Sequence, residues 1–263
     1  MKAFIALAAA MATSAASPLP GDLRATGYAQ LRAEAFAPQY PLWSDGQAKR
    51  RWLHVPEGRS IDTSNPDRWD FPVGTRAWKE FSRDGVKVET RFIERRDDGS
   101  WRYATYLWSE DGTQATLAPA DGVPQRGIPS RDDCVACHEG ATTPILGYSA
   151  VQLQAKLAPA VGYLHGNCGH CHNDSALPAL DMVLAQRASD PEASSQRTLA
   201  ALIGRHGRFR HGEARQSVLV ARMKSTDPYT RMPPIGVAIP DSQGITTVEH
   251  WLKEAQRQQE NSP

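Results

Sequence analysis

Cysteine is scarce in this chain, with four residues in 263. Four are too few for the dense disulfide framework of a small secreted scaffold, and a chain of this length can bury a core without one. Methionine is absent from a long stretch, since none of the five lies between Met11 and Met182. Charge of one sign is missing too. Lys and Arg total 30 against 29 Asp and Glu, spread throughout, so there is no basic stripe for nucleic acid and no acidic tail. After residue 11 no apolar run is long enough to span a bilayer, which leaves no candidate transmembrane segment. The one apolar stretch is at the start. Met1 and Lys2 precede apolar residues 3–11 and then small residues, with Ser14-Ala15-Ala16 as a cleavage site before Ser17. That layout predicts a signal peptide over 1–16, an extension over 17–39, and an exported, periplasmic mature protein.

All four cysteines fall in two short motifs, Cys134-Val135-Ala136-Cys137-His138 and Cys168-Gly169-His170-Cys171-His172. Both read C-x-x-C-H, the attachment signature of c-type haem. Two thiols three positions apart can each form a thioether with one haem vinyl group, and the next residue is then placed to bind iron through a neutral imidazole. A four-cysteine zinc site and a pair of disulfides are the alternatives. Each treats the two identically placed histidines as coincidence. The expectation is two covalently bound haem c groups, attached at Cys134, Cys137, Cys168 and Cys171, with His138 and His172 as proximal iron ligands.

The two halves differ in composition. Six of the seven tryptophans precede the first motif, and Asp-Gly pairs recur at Asp84-Gly85, Asp98-Gly99 and Asp111-Gly112. Asp-Gly supplies the positive φ of tight hairpins. Alternating residues over 86–92 and 101–107, after a strand over 75–81, predict an antiparallel meander leading straight into the first motif. A helix is expected over 28–35. In the second half, helices are expected over 150–157, 159–165, 218–223 and 242–257. The last places Ile245, Val248, Leu252 and Ala255 on one face. The predicted fold class is therefore α+β with two domains: an antiparallel β-rich haem domain over 40–149 and an all-α domain over 150–263.

Several short motifs carry resemblances. Phe71-Pro72-Val73-Gly74-Thr75, Trp78-Lys79-Glu80-Phe81, the strand from Trp101 to Trp108 and the terminal Cys134–His138 together resemble the cytochrome P-460 and c′-β group. That resemblance implies a β-sheet domain whose haem has an open or weakly occupied distal side. The lysine that P-460 proteins link to haem has Lys79 and Lys87 as its candidates here. The run Tyr40-Pro41-Leu42-Trp43-Ser44-Asp45-Gly46, followed by Lys49-Arg50-Arg51-Trp52, resembles a group of exported bacterial di-haem proteins, which implies haem and export but no activity. In the second half, the order helix, C-x-x-C-H, long excursion, methionine and final helix resembles a class I cytochrome c. That likeness implies an all-α class I cytochrome c domain with Met232, in Arg231-Met232-Pro233-Pro234, as the distal iron ligand. Met182 and Met223 are its rivals, and both read as packing residues. At the offsets where class I helices cross on an aromatic residue and a glycine, this chain has Leu164 and Ala160.

The sixth ligand of the first iron is left open. His54 lies within the β-rich half, His165 and His170 flank the second motif, His206 and His211 sit in a basic loop, and His250 is on the last helix. No methionine of the first half can serve. The functional expectation is a periplasmic di-haem cytochrome c that transfers electrons, its second haem exchanging with a redox partner protein, either a dehydrogenase or a terminal acceptor. The alternative is a small-molecule redox enzyme or gas-binding protein acting at an open first haem. No catalytic residue is assigned.

Overall fold

The computed structural model describes residues 18–175, 182–203 and 217–260, with side chains through 258. The expected signal peptide and the loop histidines His206 and His211 lie outside the described residues. Six strands form one antiparallel sheet in chain order: β1 (Glu34–Ala35), β2 (Ala48–His54), β3 (Arg76–Arg83), β4 (Val86–Arg95), β5 (Trp101–Trp108) and β6 (Ala115–Leu117). Asp84 and Gly85, with φ of 51° and 80°, make the tight turn between β3 and β4. Two positive φ values match the twist of the flanking strands. Alternation sends Leu53, Ala77, Ile93 and Tyr103 to one face, where they pack with Phe71, Ile145 and Ala150. It sends Trp78, Phe92, Ala104 and Tyr106 to the other face, which Leu23 of the 3₁₀ turn Leu23–Thr26 covers. Both faces are thus buried.

The helix expected over 28–35 does not form. Ala29 takes a φ of 59°, which stops a right-handed helix at its start, and Glu34 and Ala35 pair with Leu53 and Trp52 instead. Tyr28 is held by the sheet, its hydroxyl donating to the buried Glu80 at 2.7 Å. Arg50 donates to the same carboxylate through Nε and Nη2 at 2.9 and 2.6 Å.

Six helices are present among the described residues: α1 (Arg131–His138), α2 (Ala150–Leu153), α3 (Pro159–Cys168), α4 (Pro191–Ile203), α5 (Val218–Lys224) and α6 (Ser242–Glu260). Leu164, Leu184, Leu202, Val220 and Leu252 are the fully buried centre of a cluster drawn from α3 to α6. Each contributes about 1.5–3 kcal/mol by leaving water. Ala160 and Leu164 both belong to this cluster, and the close helix approach is elsewhere: a Cβ on Gly244 of α6 would overlap the Tyr163 ring of α3. No helix among the described residues is long and apolar enough to cross a membrane.

The two-domain expectation, with a separate all-α class I cytochrome c domain over 150–263, is overturned. The described residues make one β-rich domain, a six-stranded antiparallel sheet with six helices. The reason is the segment entering β2. Tyr40 bonds Gln152 through both backbone groups, at 3.0 and 3.1 Å, and its hydroxyl accepts from the Leu157 N–H at 2.7 Å. The Trp43 N–H donates to Asn167 Oδ1 of α3 at 2.7 Å, while its indole N–H donates to the Ile239 carbonyl at 2.8 Å. Asp45 accepts from the N–H groups of Ala238 and Ile239. Asp67 similarly accepts from Ser189, before α4. Ala150 of α2 belongs to the sheet's own core. The helices are therefore fastened to the sheet by residues more than 100 positions away, and no boundary falls at 149.

Candidate metal centre

Local sequence explains how each motif is presented. Ser130 caps α1, its Oγ accepting from the Asp133 N–H at 3.1 Å while Asp133 accepts from the Ser130 N–H at 2.9 Å. This reciprocal pair satisfies two donors that a helix start leaves unpaired, and Asp132 and Asp133 suit the positive end of the helix dipole. In helical spacing Cys134, Cys137 and His138 fall on one side of α1. The second motif begins at the last residue of α3, and the N–H groups of Cys171 and His172 both donate to the Cys168 carbonyl.

One buried side chain joins the motifs. Asn173 Nδ2 donates to the carbonyls of Gly140, Gly169 and His170 at 2.8, 3.2 and 3.0 Å. The sulfurs of Cys137 and Cys171 and a ring nitrogen of His170 consequently lie within 4.8 Å of one another. All four cysteines are free thiols, half-buried. Hydrogen bonds from Cys137 and then His170 lower the Cys171 thiol, while Cys137 is raised.

Each motif borders its own cavity. The one at the second motif, about 390 Å³, is lined by Cys168, Cys171 and His172, and by Met182, Met223 and Met232. That volume lies within the range of small-molecule sites. Of the three methionines, Met223 is a buried core residue of α5. Met232 is fixed by its N–H, which donates to the Arg222 carbonyl at 2.9 Å. The cavity at the first motif, about 90 Å³, is lined by Cys134, Cys137 and His138 with Tyr103 of β5. It is smaller than a typical cofactor pocket, so the fit of haem there stands on the donor set. That set suits the group: two free thiols and a histidine whose Nδ1 lies 2.6 Å from the Pro144 carbonyl. With the proton on Nδ1, the bond orients the ring and leaves Nε2 as the metal-binding nitrogen. The ring packs on Tyr103 at 5.2 Å. Burial lowers its pKa to about 4, which keeps it neutral.

The histidine candidates now separate. His170 lines both cavities. His54 bonds the Arg32 carbonyl at 2.8 Å and sits beside Leu53 with the opposite facing, away from the first motif. His165 is half-buried, with Nδ1 accepting from the Gln186 N–H at 3.1 Å. His250 is exposed next to Glu254. Lys79 lines the first cavity, whereas Lys87 lies 4.0 Å over the Trp108 ring and contacts Glu80 on the other sheet face. Sequence reasoning missed Asn173 and the cross-strand neighbours of the candidate Lys79, namely Arg51 and Arg91, which face it from β2 and β4. The second was within reach once β2 was recognised as a strand, because period-2 alternation puts Arg51 and Leu53 on the core side. No protein family, curated protein or solved structure matches this chain.

Proposed function

We propose that this protein is an exported, periplasmic di-haem c-type cytochrome that carries electrons to or from a redox partner protein. The observation that carries the reading is the duplicated C-x-x-C-H motif, each copy lining a cavity with two free cysteines and a histidine. Bound haem supplies one-electron chemistry; the chain binds it, orients it and excludes water. His138 would hold the first iron. His172 and Met232 would hold the second, and thioether ligation raises the potential of such a group. The Asn173 bridge keeps the motifs adjacent, which favours exchange between the two groups. After acid–acetone extraction, intact mass and pyridine haemochrome absorbance should give two haems per chain. Cys134→Ser/Cys137→Ser and Cys168→Ser/Cys171→Ser should each retain one. A chain that holds no haem when made beside a haem-attachment system would sink the reading.

One observation favours a second reading. Cys137, His170 and Cys171 already form a thiol–imidazole group of the kind zinc takes. Colourless protein with one zinc per chain, lost in Cys137→Ser, would replace the haem assignment. Within the haem reading, His170 would be the further residue to hold the first iron, being the one other histidine on that cavity among the described residues. His170→Ala should then convert one haem to a high-spin, CO-binding form by EPR and optical spectra. Unchanged spectra would remove His170 from the iron and reopen gas binding or small-molecule redox chemistry there.

A further inference from the structure

A small separate cavity, about 60 Å³, lies beside the first motif's cavity. Arg51, Lys79, Thr143, His165 and His170 are on its wall, and no carboxylate of the described residues is. Arg51 and Lys79 are direct cross-strand neighbours, and Lys79 faces Arg91 on its other side. Like charges directly opposite one another destabilise a sheet. Of the three, only Arg91 has a carboxylate in ion-pair contact among the described residues, Glu89 at 2.7 Å. Arg51 is only 7% exposed. Burial first, then neighbouring cations, pushes Lys79 well below its ordinary range. Thr143 adds an independent sign: the residue is 5% exposed and its hydroxyl lacks a hydrogen-bond partner among the described residues. Because His165 Nδ1 accepts from the Gln186 N–H, the neutral ring carries its proton on Nε2.

We propose that this cavity binds a small inorganic oxyanion, held by Arg51, Lys79 and the Thr143 hydroxyl. An anion there offsets the repulsion between the paired cations and satisfies the orphan hydroxyl at once. The volume admits the equivalent of a few water molecules, which excludes nucleotides and larger organic acids. The site goes beyond the haem assignment and does not depend on it, although the wall it shares with the first motif's cavity, Arg51, Lys79 and His170, would place the anion next to the first iron.

Isothermal titration calorimetry of the full chain, as purified from an export-competent host, with nitrate and separately with sulfate tests the site. Nitrate is a weak ligand for haem iron, so its heat reports the cavity. One equivalent of at least one anion should bind saturably. Affinity should fall at least tenfold in Lys79→Met and in the near-isosteric Thr143→Val, and stay unchanged in Lys87→Met. Saturable heat from neither anion, or equal affinity in wild type, Lys79→Met and Thr143→Val, overturns the proposal. If neither anion binds and Lys79→Met loses haem, the cations serve haem propionates and the diffusible-anion site is likewise overturned.

Discussion

Gly166→Ala should destabilise the protein by about 3 kcal/mol or more, the upper part of the range for inserting bulk into a packed site. On helix propensity alone the change would stabilise α3 by about 1 kcal/mol, so its sign is decided by packing. A Cβ at Gly166 would overlap the carbonyl oxygen of Tyr40 and crowd its carbonyl carbon. These are backbone atoms, and no rotamer change relieves the contact. Tyr40 can retreat only by giving up its bonds to Gln152 and Leu157, which tie the segment before β2 to α2 and to the link between α2 and α3. At about 2–4 °C per kcal/mol for a chain of this size, the melting midpoint should drop by roughly 6–12 °C. Gly21→Ala, whose Cβ would meet nothing within 4 Å, is the control and should leave the midpoint nearly unchanged. A Gly166→Ala protein that melts with wild type would show that segment 40–45 does not lie on α3 as described.

That segment also shows which parts of the fold could be read from the sequence. Strands over 75–81, 86–92 and 101–107 were legible because period-2 alternation and Asp-Gly turns are local signals, and they are β3, β4 and β5. The helices around 159–165 and 242–257 were legible too, the second from its apolar face at helical spacing, and they are parts of α3 and α6. What failed was the division into two domains. Periodicity within 150–263 says that helices form but not what covers them, and the cover comes partly from Tyr40, Trp43 and Asp45. The helix expected over 28–35 failed likewise, because Tyr28 and Glu34 are claimed by partners on β3 and β2. At the site, the cysteines and histidines that line the two cavities were visible as a spaced motif. Asn173, Arg51 and Thr143 were not, since a lone polar residue acquires meaning only from what it faces.

On the proposed di-haem reading, Met232 is the residue whose replacement should change redox behaviour most. In the haem-loaded protein, Met232→Ala should lower the potential of the second haem by on the order of 100 mV, a modest part of the roughly 0.8 V that axial ligands span. The thioether is a weak, neutral donor that favours ferrous iron, and its loss leaves the site to water or to a stronger base. The cavity also holds Met182 and Met223, so substitution by one of them is the obvious escape. Met223 is only 6% exposed within the apolar cluster around Leu219 and Val220, and moving it to the iron would empty a core position. Such a vacancy costs about 2–5 kcal/mol for a methionine, which opposes the exchange. Potentiometric titration of wild type, Met232→Ala and Met223→Leu separates the cases. Only the first variant should shift a potential, and only in one of the two haems. A shift in Met223→Leu with none in Met232→Ala would assign the sulfur ligand to α5 and leave Met232 as a wall of the cavity.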